Sequence, residues 1–239
     1  MRATALASAA SVHAATVPDN CLLRNDWICP LYVTTRGPEL WAATRQHLFI
    51  TVVAVLLGVV LAVPLAVLAQ QWRKLRPLTL GVSTALYTVP SLAMFSLLLP
   101  LTGLSAATTI TGLVLYSLTI LVRNLLAGFD AVEEEVRDAA RGMGFGRWRM
   151  LWKVEMPLAL PAAFAGLRVA TVSAIALTTV GTIVGFGGLG DLLTRGLQAN
   201  FKAEVLTASV LCVLLAVVAD LVLLLVQRVL TPWQRGRAQ

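Results

Sequence analysis

An all-α integral membrane protein with five transmembrane helices is the fold class that this sequence predicts, on three observations. Of its 239 residues, 58% are hydrophobic and only 13% are charged, too little polar surface for a soluble domain of this size. The charges are segregated: residues 48–69, 77–122 and 169–190 carry none, and residues 205–227 carry only Asp220. The remaining polar residues gather in the connectors between those runs.

Residues 48–69, at about 1.5 Å per residue, cross a hydrocarbon core of about 30 Å. Pro64 lies inside this run, and membrane helices tolerate such a proline. Residues 77–122 are too many for one crossing. The turn signal "PLTGLS" at 100–105 divides them into spans two and three. Residues 169–190 and 205–227 are spans four and five.

Lys and Arg placement sets the orientation. Alternating crossings put Arg73, Lys74 and Arg76 on one side with Arg137, Arg141, Arg147, Arg149, Lys153, Arg228, Arg235 and Arg237. The other side receives Arg2, Arg24, Arg36, Arg45, Arg195 and Lys202. The first group is larger and closer to the membrane, so its side is cytoplasmic and the N-terminus is outside. Residues 1–46 form an extracytoplasmic segment, 47–228 the transmembrane domain with a cytoplasmic loop at 128–161, and 229–239 a cytoplasmic tail. The opening "MRATALASAASVHAA" has an early Arg and small residues, but its middle is Ala/Ser rather than Leu-rich. An uncleaved or misassigned start is the expectation.

The net charge of +7 would suit nucleic acid in a soluble protein. Without a basic, aromatic-studded soluble domain it reads as the Lys/Arg bias of cytoplasmic loops. Cys21 and Cys29 flank "LLRNDWI"; they are either a disulfide, if that segment faces an oxidising compartment, or two free thiols. Cys212 sits in an apolar run as a small core residue. The histidines are His13 and His47, and no His-Glu-x-x-His occurs, which argues against a membrane metalloprotease. "GMGFG" follows a charged helix and lacks the Gly-Lys-Ser/Thr ending of a phosphate loop.

The 128–161 loop is too patterned for a plain connector. Residues 131–141, "AVEEEVRDAAR", predict a helix in which Glu133 precedes Arg137 by four residues, the favourable ion-pair order. Gly142, Gly144 and Gly146 break it as a hinge. A second helix, "RWRMLWKVEM", is expected to end at Pro157 and Pro161, with both helices parallel to the membrane surface as a docking element.

This loop resembles the cytoplasmic signature of permease subunits of binding-protein-dependent ABC importers: Glu-Ala-Ala, three residues, Gly, nine residues, Ile-x-Leu-Pro. Here Asp138, Ala139 and Ala140 precede Gly144, and Val154-Glu155-Met156-Pro157 follows after nine residues. Asp, Val and Met replace Glu, Ile and Leu. The resemblance runs from about His47 to Arg228. It implies the type I ABC importer permease fold, with Asp138, Ala139, Ala140, Gly144, Arg147 and Pro157 in the ATPase-coupling element. "YTVPSLAMFSLLLPLTG", "LVRN", "GLRVATV" and "GFGGLGDLLTRGL" resemble osmoprotectant permeases, which import glycine betaine, carnitine, choline and related quaternary amines. Methionine-importer permeases share "GGLG" and the loop and are the alternative, with a non-transporting accessory subunit behind them.

The resemblance implies no enzyme activity, metal or cofactor in this chain. It implies ATP and Mg on a pair of partner ATPase subunits, an identical or paralogous second permease, an extracytoplasmic binding protein, no nucleic acid, and a place in a prokaryotic cytoplasmic membrane. Aromatic faces attract a trimethylammonium head, so Tyr87, Phe95 and Tyr116, with Pro90 and Ser91, are candidates for the substrate path. Gly187, Gly188 and Gly190 are candidates for an outer gate, where glycines permit close packing. Asp220 inside a span requires a partner. Arg168, at a similar depth, is expected to form a buried ion pair with it; Arg123 is the second choice, and a protonated Asp220 the alternative.

Overall fold

The computed structural model describes residues 20–72 and 74–233. The expected uncleaved or misassigned start, Arg2, His13, Arg73, Arg235 and Arg237 lie outside them. Short α1 (Pro30–Thr35) leads into α2 (Gly37–Gln71). Helices α3 (Leu75–Thr88) and α4 (Ser91–Thr102) precede α5 (Ala106–Asp130). The cytoplasmic α6 (Glu134–Gly142) is followed by α7 (Arg147–Met150), a π turn (Leu151–Glu155) and α8 (Met156–Thr178). A 3-10 segment (Thr179–Val184), α9 (Leu189–Gln198) and α10 (Lys202–Leu230) complete the chain. Among the described residues there is no strand. Among the described residues, four helical runs are long and apolar enough to cross a membrane, and a fifth crossing exists if the bent pair α3–α4 is one.

Helices α2, α5 and α8 build the core, and small residues let them approach. Ala54, Gly58, Ala62 and Ala66 recur every four residues along α2, and all are buried. A Cβ on Gly58 would stand 2.4 Å from Ser117 Oγ of α5, and one on Gly166 of α8 would stand 2.4 Å from Asn124 Cβ of α5. Buried Leu121, Val122, Leu125, Leu126 and Phe129 of α5 fill the space between.

Three expectations are corrected. Helix α2 starts at Gly37, inside the segment expected to precede the transmembrane domain, because Pro38 and Glu39 make a good helix N-terminus. Span two is broken: α3 and α4 meet at 100°, since Pro90 supplies no N–H and Val89 is extended. Span four begins far earlier than residue 169. Residues Arg147–Val184 form one continuous run, so "RWRMLWKVEM" is the cytoplasmic end of a span rather than a separate surface helix. The π turn makes this possible: Met156 N–H donates back to Leu151 O, five residues away. Pro157 directly follows this turn, where the ordinary i→i−4 ladder is already interrupted.

Candidate coupling site and translocation path

Helix α6 hangs from the core by one guanidinium. Arg137, 17% exposed, donates from Nε to Glu155 Oε1 at 3.0 Å, from Nη1 to Glu134 Oε2 at 3.2 Å and from Nη2 to the Phe129 carbonyl at 2.6 Å. It joins α6 to the end of α5 and to the π turn. Glu133, expected to pair with Arg137, is instead the residue before α6 and accepts the Arg137 backbone N–H through its carbonyl. Glu134 also accepts from Arg141 at 2.9 Å. Arg141, and then Arg137, hold the Glu134 carboxyl below its ordinary value.

Gly142 is the last residue of α6, Gly146 precedes α7, and Gly144 between them stops the helix. Gly144 has φ +78°; its N–H donates to Arg141 O, and Phe145 N–H donates to Ala140 O. Those two bonds are the left-handed helix stop for which glycine is the preferred residue. Arg147 donates from Nη2 to the Gln71 carbonyl at the end of α2, so a second element fastens the loop. Ala140 is buried, whereas Asp138, Ala139, Arg141 and Met143 are exposed. Trp148 and Trp152 are exposed on the following helical turns. Pro157 is half-buried at the head of α8.

At the α3–α4 break the structure separates the expected path residues. Tyr116 of α5 is buried and donates its hydroxyl to the Val89 carbonyl, which the helix break leaves without a helical donor. Thr119 Oγ1 bonds the Ser83 carbonyl, and Arg123 Nη2 bonds Thr84 Oγ1 at 2.7 Å, so one face of α5 holds α3. Tyr87 is exposed and meets the Tyr116 ring edge-on at 5.9 Å. Pro90 is exposed beside half-buried Ser91. Phe95 is 0% exposed, and a Cβ on Gly112 would stand 2.5 Å from its ring. Phe95 is therefore packed in the core of this chain.

The outer connection is a turn packed against α2 and the 3-10 segment. Gly188 has φ +58°, and a Cβ there would stand 2.7 Å from His47 Cβ. A Cβ on Gly190 would stand 2.2 Å from the Thr179 carbonyl. Gly187 N–H donates to Asp191 Oδ1 at 3.1 Å. Fully buried His47 bonds the Ile175 carbonyl through Nε2 at 3.0 Å. Ion pairing closes this end: Arg195 Nε donates to Glu204 Oε1 at 2.8 Å, and Nη2 to Glu39 Oε1 at 2.6 Å.

Arg168 and Asp220 meet in a bidentate pair, with Nε–Oδ1 and Nη2–Oδ2 both 2.7 Å. Their side chains are 29% and 32% exposed. The pair is thus at the rim of the chain and not buried within it, because α10 leaves its most apolar stretch uncovered. Arg123 is elsewhere, on Thr84. Cys21 and Cys29 are joined by a disulfide. Among the described residues no cluster of His, Cys, Asp and Glu suits a metal.

Sequence reasoning missed Glu155, the lone carboxylate between Val154 and Met156, and the anchoring role of Arg137. A buried carboxylate needs a partner, but the burial of Glu155 becomes visible only in the fold.

Residues 39–236 match the family model for binding-protein-dependent transport system inner membrane components, and the chain belongs to that family. It is a multi-pass membrane protein and a transport permease subunit rather than an enzyme. Family membership implies an ATPase subunit and a substrate-binding protein as partners. The chain is 37% identical over 207 residues to the glycine betaine/carnitine/choline transport system permease protein OpuCD of Bacillus subtilis, covering 86% of this chain and 90% of that one. It is 36% identical over 206 residues to the osmoprotectant import permease protein OsmW of Salmonella typhimurium, covering 84% and 96%. Its fold is similar to that of a chain in the inward-facing MetNI methionine ABC transporter, with TM-score 0.71, 20% identity, and coverage of 81% and 98%. At that identity the likeness concerns the fold alone.

Proposed function

We propose that this chain is the transmembrane permease of an ATP-driven importer of quaternary-amine osmoprotectants such as glycine betaine, carnitine or choline. The observation that carries the substrate class is the similarity, at 36–37% identity over more than four-fifths of the chain, to permeases named for those compounds. A second permease, identical or paralogous, completes the path. ATP binding draws two ATPase subunits together, and α6 moves with them.

In this reading the exposed face of Asp138, Ala139, Arg141 and Met143 enters a groove of the ATPase. Buried Ala140 and the Gly144 stop fix its angle. Arg147 and Pro157 join that motion to α2 and α8. The motion opens the permeases alternately inward and outward. Tyr87, with Tyr116 behind it and Pro90 and Ser91 at the break, faces the path; an exposed tyrosine face suits a methylated cation. The Gly187, Gly188 and Gly190 turn belongs to the outer gate. The permease needs no tight site of its own, since a conduit must release its cargo.

The test is uptake by vesicles reconstituted with the permease, its ATPase and its binding protein. ATP-dependent accumulation of labelled glycine betaine, choline or carnitine is expected, with no accumulation of methionine. Methionine uptake in place of quaternary amines would overturn the substrate class.

A further inference from the structure

Residues 20–35 precede the part of the chain that the family model matches, yet they fold onto it. The Cys21–Cys29 disulfide closes them into a cap. Asn25, with φ 55°, ends the first turn, and its side chain grips the α9–α10 corner. Its Nδ2 donates to the Asn200 carbonyl at 2.7 Å, and its Oδ1 accepts from Lys202 N–H at 2.9 Å. Buried Tyr32 meets the Phe201 ring edge-on at 5.3 Å. Cys29 and Tyr32 share one apolar cluster with Ala203 and Ala208, against which Cys21, Leu22, Leu211 and Cys212 also pack.

The same cluster includes Leu40 of α2 and Leu189 and Leu192 of α9, so the cap sits at the outer corner where α10 begins its membrane-crossing run. The headgroup layer is only about 5–8 Å thick on each side of the hydrocarbon core. Long apolar side chains on a cap at that boundary reach through the headgroup layer to acyl chains. Its outward face is apolar: Leu23, Trp27, Ile28 and Leu31 are all exposed, and Ile28 reaches 79%. Lys202 Nζ lies 5.9 Å from the centre of the Trp27 ring; Trp rings concentrate at the membrane–water interface, and lysines near helix ends reach toward headgroups. The charges of the cap are set against each other, with Arg24 3.0 Å from Asp26.

We propose that residues 20–35 form a disulfide-closed anchor in the outer leaflet, with Leu23, Trp27, Ile28 and Leu31 among phospholipid acyl chains. Lys202 stands at the headgroups above them. The anchor ties the α9–α10 corner to the bilayer, and through Arg195 it is continuous with the outer end of α2. The binding protein docks elsewhere. This inference takes the N-terminus as extracytoplasmic and does not depend on what is transported.

The photoreactive residue p-benzoylphenylalanine, placed at Ile28 and separately at Leu31, tests it in membranes that hold the complete importer. After irradiation, mass spectrometry of the permease is expected to show phospholipid adducts as the main product at both positions. A cross-link to the binding protein, to another chain or within this chain as the main product would overturn the proposal, as would absence of a phospholipid adduct at both positions. A second measurement leaves the cap aromatic but otherwise native. The fluorescence lost on Trp27→Phe is expected to be more than half quenched in brominated phospholipid bilayers. A Trp27 contribution that brominated lipid leaves unquenched would equally overturn it.

Discussion

Arg137 is the residue on which the cytoplasmic site depends, because its guanidinium alone touches α6, the end of α5 and the π turn. Glu155 is 10% exposed, so losing its partner leaves a carboxylate poorly solvated. Arg137→Ala is expected to cost more than the about 1 kcal/mol of an exposed pair and less than the about 3–5 kcal/mol of a fully buried one. Thermal unfolding of the purified permease measures that loss, and ATP-driven uptake should fall with it. Gly144→Ala puts a Cβ at φ +78°, a strain of about 1–2 kcal/mol; Gly144→Asn should be milder, since Asn tolerates that region. An equal effect of both substitutions on unfolding would contradict the helix-stop role. Acid gives a further check. Glu134 titrates below its ordinary value because Arg141 and Arg137 bond its charged form. A lowered folded value means that its stabilisation is complete above the unfolded value and disappears as pH falls through the folded one. The signature residues around Gly144 were legible because their spacing is fixed along the chain. The Arg137–Glu155 contact was not: it spans 18 residues across a helix stop and a π turn, and no single helical period phases two elements joined that way.

At the scale of elements, the break between α3 and α4 is the feature the hydropathy of residues 77–122 concealed. Both halves are apolar, so composition reads them as one crossing, and only Pro90 hints at the 100° bend. The bend persists because α5 supplies what the broken helix lacks, a hydroxyl from Tyr116 for the Val89 carbonyl, while Thr119 holds α3 through the Ser83 carbonyl. Tyr116→Phe leaves the Val89 acceptor unpaired, which costs about 1–3 kcal/mol for a buried group. The variant should unfold at lower temperature and import more slowly. Unchanged unfolding and uptake would mean that α5 does not hold the break. The same blindness displaced span four: prolines 157 and 161 read as terminators, whereas a π turn precedes Pro157 and the helix continues past Pro161. The glycines at 187, 188 and 190 were legible as a close-packed turn, but their neighbours His47 and Thr179 come from other elements and became visible only with the fold.

In the whole molecule, one chain leaves much of its apolar surface uncovered, along α10 above all. The Arg168–Asp220 pair at the rim of that surface is about a third exposed, an unfavourable place for charges against lipid alone. A second permease that covers it would remove the pair from lipid. Asp220→Ala is therefore expected to reduce the amount of complete importer recovered from membranes, and Asp220→Asn to reduce it less; intact-mass measurement of the purified complex reads both. The segregation of charge made this architecture legible in outline, because five apolar runs admit few arrangements. Which faces meet another chain was not legible, since lipid-facing and partner-facing helices are equally apolar.

The central claim is that α6 carries the motion of the ATPase into the membrane. Ala139 tests it most directly, because its small side chain is exposed on α6. The measurement is co-purification of the ATPase subunits with Ala139→Arg permease, alongside the unfolding temperature of the permease. The account predicts unchanged unfolding, loss of bound ATPase and loss of ATP-driven uptake. Ala139→Arg permease that retains its ATPase and imports normally would contradict it.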